Sequence, residues 1–226
     1  TNSSPEAAAT PNPAFSGFTI TGTTSLQAGA PNQLTITAVD STGTPVTGVA
    51  GDIALTFSGL SAAPDSSLST VSDKNGTPRN LGLPTIITFV NGIGSTASSA
   101  AVLVAHRAES ATLDVTDGTH SSTSLGGAGL SLTISAGPDS AYRISAETNA
   151  PVVGTTNTLT LSIVDQYQNP SSFSGTKNIT FGGLGAGPGE SETLSGVGAE
   201  SGGRRQADPS LAGPAAPPSA GFRVGP

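Results

Sequence analysis

The chain has 226 residues, of which 35% are hydrophobic and only 10% are charged, and it carries a net charge of −7 with no Cys, Met or Trp. The absence of cysteine excludes disulfides and thiolate metal sites. The acidic balance argues against nucleic acid as a partner, because phosphate binding needs clustered Lys and Arg, whereas the eight basic residues here are scattered.

The residue types favour strands over helices. Gly and Pro are abundant, Ser and Thr supply most polar positions, and no window has the apolar spacing of an amphipathic helix. The sequence contains no signal peptide and no apolar run of about 18 residues that could span a membrane. The absence of methionine predicts an internal segment or processed fragment, with any export signal or anchor outside it.

In chain order, residues 1–14 are predicted to form a linker, because Ser, Ala, Pro and Asn dominate them. Beyond them, alternating apolar and polar residues predict short strands. The predicted strands are residues 18–21, 33–39, 52–57, 85–90, 93–96, 100–105, 111–116 and 130–135, with a short edge strand near 68–71.

Turn signals separate most of these strands. Residues 40–44 and 73–76 contain the Asp, Asn and Gly typical of turns, and Asn91-Gly92 predicts a two-residue hairpin turn. Seven to nine short strands in about 120 residues predict an antiparallel β-sandwich, with a closed barrel as the alternative. The predicted core contains Leu34, Ile36, Ile53, Leu55, Phe57, Phe89, Leu113, Val115, Leu132 and Ile134.

The first half of this pattern occurs twice. Residues 34–45 match residues 159–170 at an offset of 125, and both segments alternate apolar and polar residues before an acid and a turn closed by proline. Residues 18–20 match 142–144, and 55–60 match 179–184, at an offset of 124. A period of about 124 residues suits a tandem array of whole domains, with insertions confined to loops.

The second copy is incomplete. A short segment containing Pro138 joins the copies, and no strand pattern follows Leu184. The sequence therefore predicts a complete domain at residues 15–137, a partial second repeat at 138–189, and a disordered Gly-, Pro- and Ala-rich tail at 190–226. Either the chain is truncated or its reading frame is lost after about Gly189. We expect the partial repeat to lack independent stability, because half a sandwich leaves its apolar face open.

The repeated segments resemble bacterial Ig-like repeats of the invasin/intimin type. The resemblance lies in a strand ending in Val-Asp, a turn closed by proline as in residues 165–170, and a strand ending in Thr-Phe-Ser-Gly at residues 56–59. It covers residues 18–137 as a full domain and 142–184 as a partial one. It implies an Ig-like fold in extracellular, tandem, rod-like adhesins or their stalks, in which most repeats are spacers.

Two acidic groups are candidates for calcium, which prefers carboxylate oxygens. Asp40 and Asp165 occupy equivalent positions in the two repeats, and Asp114 and Asp117 lie three residues apart. A turn acid that accepts backbone N–H bonds explains each position without a metal, and that interpretation is favoured. The sequence therefore predicts no metal site and no cofactor.

The residues His106, Arg107, Glu109 and His120 are the one cluster with catalytic residue types. No nucleophile elbow and no zinc-binding His pair accompany them, so solvent-facing loop positions are favoured. Residues 182–187 are glycine-rich after a strand but lack the Lys and helix of a phosphate loop, which favours a linker. Tyr142 and Tyr167 are candidate recognition aromatics, with packing as the favoured interpretation.

Three functions are compatible with these observations. The first is a non-enzymatic structural or adhesive Ig-like repeat segment, a stalk or spacer, of a large exported bacterial surface protein. Its expected partners are neighbouring repeats, with host or cell-surface ligands bound by modules outside this segment. The alternative is a carbohydrate-binding β-sandwich of a secreted hydrolase, disfavoured because the chain has no Trp and two Tyr. An enzyme domain is the third and least supported.

Overall fold

The computed structural model describes residues 14–94, 100–124, 127–152 and 154–182, and the backbone of Ala220–Val224. The described residues form sixteen strands and no α-helix, so the chain is all-β as predicted. The chain divides into two compact units, Thr1–Gly137 and Pro138–Pro226, which we call unit 1 and unit 2.

Unit 1 contains twelve strands. They are β1 (Gly17–Thr21), β2 (Ser25–Gln27), β3 (Pro31–Gln33), β4 (Thr35–Val39), β5 (Gly51–Ser58), β6 (Thr70–Ser72), β7 (Pro78–Asn80), β8 (Pro84–Val90), β9 (Ile93–Gly94), β10 (Val102–Val104), β11 (Glu109–Thr116) and β12 (Leu130–Ser135). Every predicted strand has a counterpart here, although residues 95–99 lie outside the described residues. The short polar strands β2 and β7 were not predicted.

Two sheets form the β-sandwich of unit 1. One has eight strands in the order β1-β4-β9-β8-β5-β11-β12-β2, and the other has four in the order β3-β10-β6-β7. All pairings are antiparallel except that of β2 with β12, which is parallel and departs from the predicted antiparallel arrangement. Burial alternates along strands such as β12, which places one face of each strand inside.

The core between the sheets is aliphatic with a few Phe side chains. The larger sheet contributes Phe57, Phe89 and Ile87, and the smaller sheet contributes Val71 and Leu103, all at 1% exposure or less. Nine of the ten predicted core residues are buried. The exception is Ile53, which is half-buried because burial along β5 increases from its start at Gly51 toward Phe57.

The predicted strand at residues 33–39 is divided between the two sheets. Gln33 pairs with Val102 in the smaller sheet, whereas Thr35 pairs with Thr21 in the larger one. Leu34 lies at the break, is fully buried, and donates its backbone N–H to the carbonyl of Ala101 at 3.0 Å. One continuous apolar pattern therefore joins the two layers of the sandwich.

The Asn91-Gly92 hairpin turn is confirmed. Val90 pairs with Ile93, and both turn residues have positive φ, 51° and 79°, as a type I′ turn requires. The Gly92 N–H donates to the carbonyl of Val49 at 2.8 Å. A Cβ at Gly92 would lie 2.3 Å from a backbone carbonyl oxygen, so only glycine fits.

Strand directions place the two ends of unit 1 apart. Six successive antiparallel pairings lead from β1 to β12, so these two strands run in the same direction. Strand β1 is the first element of the unit and β12 is the last. The chain therefore enters at one end of the strands and leaves at the other.

Unit 2 contains four described strands. They are β13 (Ala141–Ala146), β14 (Leu159–Val164), β15 (Gly175–Ile179) and β16 (Ala220–Val224). Strand β13 pairs with β14, and β15 pairs with β16, both antiparallel. Strand β16 departs from the predicted disorder of residues 190–226. Most of the predicted tail, residues 190–219 and 225–226, lies outside the described residues, and so do residues 183–189 of the predicted partial repeat.

The two repeats share one strand register. Phe18 pairs with Ala38 in unit 1, and the equivalent Tyr142 pairs with Ile163 in unit 2. After the turn, the equivalent strands β5 and β15 each have an antiparallel partner, β8 and β16 respectively. Gly51 lies opposite Phe89, and its equivalent Gly175 lies opposite Val224. The first strand pair of the two units therefore has the same pairing at the matched sequence positions.

The repeats differ in how much of their shared apolar face is covered. In unit 1, Phe18 and Ile20 are 2% and 6% exposed, whereas their equivalents in unit 2, Tyr142 and Ile144, are 48% and 54% exposed. In unit 1 the Phe18 ring lies 6.0 Å from the ring of Phe89 on β8. Most counterparts of β6–β12 do not occur among the described residues of unit 2.

Candidate functional site

The equivalent acids Asp40 and Asp165 each organise a turn closed by proline. The Oδ1 atom of Asp40 accepts the backbone N–H groups of Thr42 and Thr44 at 2.8 and 3.0 Å. The Oδ1 atom of Asp165 accepts those of Tyr167 and Asn169, both at 2.9 Å. In each turn the acid's own N–H donates to the carbonyl four residues later. The carboxylates thus satisfy backbone donors that the strands leave open.

A third turn of this form lies in the smaller sheet of unit 1. The Oδ1 atom of Asp73 accepts the N–H groups of Asn75 and Thr77 at 2.8 and 3.0 Å, and Ser72 pairs with Pro78. We call residues 40–45, 73–78 and 165–170 the Asp–Pro turns. The sequence predicts a turn at residues 73–76, but its likeness to the other two turns was not predicted. The shared spacing of Asp, Gly, Thr and Pro in the first two would have revealed it.

The Asp–Pro turn of unit 2 is the buried member of the set. Asp165 is fully buried and Asn169 is 1% exposed. The side-chain amide of Asn169 donates to Oδ2 of Asp165 at 2.8 Å, so both carboxylate oxygens accept hydrogen bonds. Asp40 is half-buried, and a hydrogen bond from the Thr42 hydroxyl, followed by the N–H groups of Thr44 and Thr42, holds the pKa of its carboxyl below the usual range.

The acids Asp114 and Asp117 have separate partners. Asp114 accepts hydrogen bonds from the hydroxyls of Ser122 and Thr123. Asp117 accepts the backbone N–H of His120 at 2.7 Å, and its Oδ2 atom lies 3.0 Å from Nδ1 of that histidine. Burial by itself would raise the pKa of Asp117, but the hydrogen bonds from His120 and Thr119 outweigh it and lower the pKa. Among the described residues, no three His, Cys, Asp or Glu side chains form a group that could hold a metal.

The cluster with catalytic residue types is divided by a strand. His106 and Arg107 precede β11, Glu109 begins it, and His120 follows its far end, so the eight-residue strand, roughly 25 Å long, lies between the two histidines. Arg107 Nε lies 3.7 Å from Glu109 Oε2, and Glu109 Oε1 accepts the N–H of Ser61 at 2.8 Å. Burial lowers the pKa of His106, against the opposing charge of Asp65. The contacts of Arg107 and Glu109 hold a loop in place.

His120 connects the turn after β11 to the aromatic part of the core. Its ring lies 4.3 Å from that of Phe15, which contacts Phe18 at 5.0 Å between centroids. Because Phe18 also contacts Phe89, the segment that leads into β1 is anchored through a row of rings. The sequence predicts a solvent-facing position for His120, whereas its ring is partly buried against Phe15.

The other candidate residues lie in unit 2. Gly182 ends the described part of the glycine-rich stretch, and residues 183–187 lie outside it. Tyr167 is half-buried within its Asp–Pro turn, whereas Tyr142 lines an open cavity of about 170 Å³ together with Asp139, Ile163 and Lys177. The equivalents of Tyr142 and Ile163 in unit 1, Phe18 and Ala38, are buried. The cavity therefore occupies a position that core packing fills in unit 1.

No described segment is a helix of the length and apolarity needed to cross a membrane. No protein-family model and no curated protein matches the chain. Among solved structures, the chain is similar to FdeC, described as a broadly conserved Escherichia coli adhesin eliciting protection against urinary tract infections, with a TM-score of 0.41 and 20% identity. The match covers 75% of this chain and 47% of that one, so the chain spans about half the length of the adhesin structure.

Proposed function

We propose that this chain is a non-enzymatic segment of tandem Ig-like repeats that serves as a stalk or spacer in a large exported bacterial surface protein. The observation that carries the proposal is the repetition of one antiparallel strand pair, with the same register and the same Asp–Pro turn, at an offset of 124 to 125 residues. A tandem array of whole domains is the organisation that such a period predicts.

The strand directions of unit 1 also support this role. Because β1 and β12 run in the same direction, the chain enters and leaves unit 1 at opposite ends. Repeats joined in this way add length to a protein, which is what a stalk requires. The neighbouring repeats are then the immediate partners, and ligand binding belongs to modules elsewhere in the full protein.

The candidate residues fit a structural role better than a chemical one. In each of the three Asp–Pro turns, the Oδ1 atom of the aspartate accepts hydrogen bonds from backbone N–H groups of the same turn. The histidines lie at opposite ends of β11, where His106 is close enough to Asp65 to feel its charge and the His120 ring packs against Phe15. Each of these side chains stabilises a connection between strands.

Surface labelling of the source bacterium tests the proposal. Antibodies raised against the folded chain should label intact cells, and protease added outside the cells should remove the label. A cytosolic protein probed in parallel controls for lysis. Labelling that appears only after lysis would contradict the proposal. Binding of the isolated chain on a glycan array, abolished by Tyr142→Ala but not by Tyr167→Ala, would instead support a carbohydrate-binding module.

A further inference from the structure

The short parallel contact between β2 and β12 joins the first and last parts of unit 1. Ser25, Leu26 and Gln27 lie opposite Thr133, Ile134 and Ser135. The contact is extended at both ends, because the Thr133 N–H donates to the carbonyl of Thr24 and the Ala28 N–H donates to the carbonyl of Ser135, each at 2.8 Å. Every other pairing among the described strands is antiparallel. The β2–β12 contact links residues more than a hundred positions apart in sequence.

A pull on the two ends of unit 1 strains this contact in a particular way. The N-terminal end of β2 is drawn toward one end of the unit through β1, and the C-terminal end of β12 is drawn toward the other. Because the strands are parallel, they are pulled in opposite directions along their length. Their hydrogen bonds lie across the strands, so all of them are loaded together rather than one after another.

We propose that the β2–β12 contact is a mechanical clamp that lets unit 1 resist end-to-end tension. Strand β1 adds to the resistance on the entry side, because its five residue pairs with β4 are loaded in the same shear geometry. The contact has little apolar burial, since Ser25 and Gln27 are exposed and Leu26 is half-buried. Its contribution is therefore directional: it opposes sliding of the two strands more than it adds to the core. The clamp depends on unit 1 alone, whatever surface or partner the chain serves.

Single-molecule pulling on the full chain tests the clamp. The chain has no cysteine, so thiol handles can be introduced in pairs at exposed positions. Ala14→Cys with Ser140→Cys loads the β2–β12 contact in shear. Ser110→Cys with Ser140→Cys peels β12 from β11 beginning at its C-terminal end, because Ser110 pairs with Thr133. We expect a rupture force several-fold higher in shear, because the three β2–β12 pairs and the five β1–β4 pairs are loaded together, whereas peeling breaks pairs one after another.

Two proline variants locate the resistance. Ala28→Pro removes the N–H that donates to Ser135, whereas Gln27→Pro lies one residue earlier, where the N–H points away from β12. Ala28→Pro should lower the shear force by a larger fraction than the peeling force, and Gln27→Pro should change the shear force less. Equal forces in the two geometries of the parent chain overturn the clamp, and this comparison needs neither proline variant to fold. A higher shear force that both prolines change equally overturns its assignment to β2 and β12.

Discussion

Gly43 and Gln168 occupy the same position in the Asp–Pro turns of the two repeats, and both have a positive φ, 83° and 66° respectively. Each donates its N–H to the carbonyl of the turn's aspartate, at 3.0 and 3.1 Å. The turn therefore imposes the left-handed conformation whatever residue is present, and glutamine adopts it at a cost that glycine avoids.

Replacing Gln168 by glycine should stabilise the turn of unit 2. The expected gain is about 0.5–1 kcal/mol, which is the relief of left-handed strain less the greater freedom of glycine in the unfolded chain. Hydrogen exchange of the Ser171 N–H, which donates to Ile163 across the turn, would measure it. Gln166→Gly is the matched control and should destabilise, because Gln166 is not among the positive-φ residues. Faster exchange in Gln168→Gly would contradict this interpretation.

Alanine at two glycines of unit 1 should separate conformational strain from steric collision. Gly43 and Gly59 have similar φ, 83° and 100°. A Cβ at Gly43 meets nothing within 4 Å, whereas one at Gly59 would lie 2.0 Å from the backbone oxygen of Thr112. Gly43→Ala should cost about 1–2 kcal/mol of unfolding free energy and Gly59→Ala about 3 kcal/mol or more, measured by urea unfolding. Equal losses of unfolding free energy in the two variants would show that the backbone near Thr112 moves to accommodate the new Cβ at position 59.

The shared apolar face provides a matched pair of core truncations. Ile20 is 6% exposed and its equivalent Ile144 is 54% exposed. Ile20→Ala should cost about 2–4 kcal/mol of unfolding free energy, because it leaves a cavity, whereas Ile144→Ala should cost less than about 1 kcal/mol. Thermal unfolding of each variant, monitored by far-UV circular dichroism, measures the difference in stability. Similar losses at both positions would mean that the face of unit 2 is covered in solution.

Acid should destabilise the protein through its turn and strand aspartates. Hydrogen bonds to Thr42 and Thr44 lower the pKa of Asp40, and Lys74 and Thr88 lower that of Asp52. A carboxyl whose pKa is lowered by folding contributes stability above its unfolded pKa, near 3.8, and that contribution is lost as pH falls through the folded pKa. The thermal midpoint should therefore decrease as pH falls below about 4. Asp40→Asn should make this decrease shallower, and an unchanged slope would argue against a role for Asp40.

Limited proteolysis should distinguish the two units. We expect rapid cleavage from about Pro138 onward and a resistant fragment spanning residues 18–135, because Tyr142 and Ile144 are exposed where Phe18 and Ile20 are buried. Mass spectrometry of the fragments gives the boundaries. Equal resistance of residues 142–184 in a monomeric sample would show that unit 2 is stable without further strands.

The sequence predicted features that depend on neighbouring residues and missed those that depend on distant partners. Alternation located β8 and β12, and Asn91-Gly92 identified its hairpin. Nothing near Leu34 indicates that the strand changes sheet there, because the break is set by Val102 and Thr21. Strand β2 is short and largely exposed, so its pairing with β12 leaves no periodic signal.

The candidate sites divide in the same way. The turn function of Asp40 and Asp165 could be read from the sequence, because an acid followed by a turn and proline is a local pattern. The burial of Asp165 could not, since it depends on how Asn169 and the surrounding chain pack. His120 and His106 were grouped because they are close in sequence, but β11 carries them to opposite ends of the sheet.

The hydrogen bond from Gly92 to Val49 also affects how the protein ages chemically. Asn-Gly sequences lose ammonia when the glycine nitrogen attacks the asparagine side chain and closes a five-membered imide. In this chain the N–H of Gly92 donates a hydrogen bond to the carbonyl of Val49. In the other Asn-Gly pair, the N–H of Gly76 donates to the carbonyl of Asp73 at 2.9 Å. Deamidation at either hairpin must wait until that bond opens. The rate at which aspartate appears at position 91 or 75 during days of storage would therefore report how often each hairpin opens.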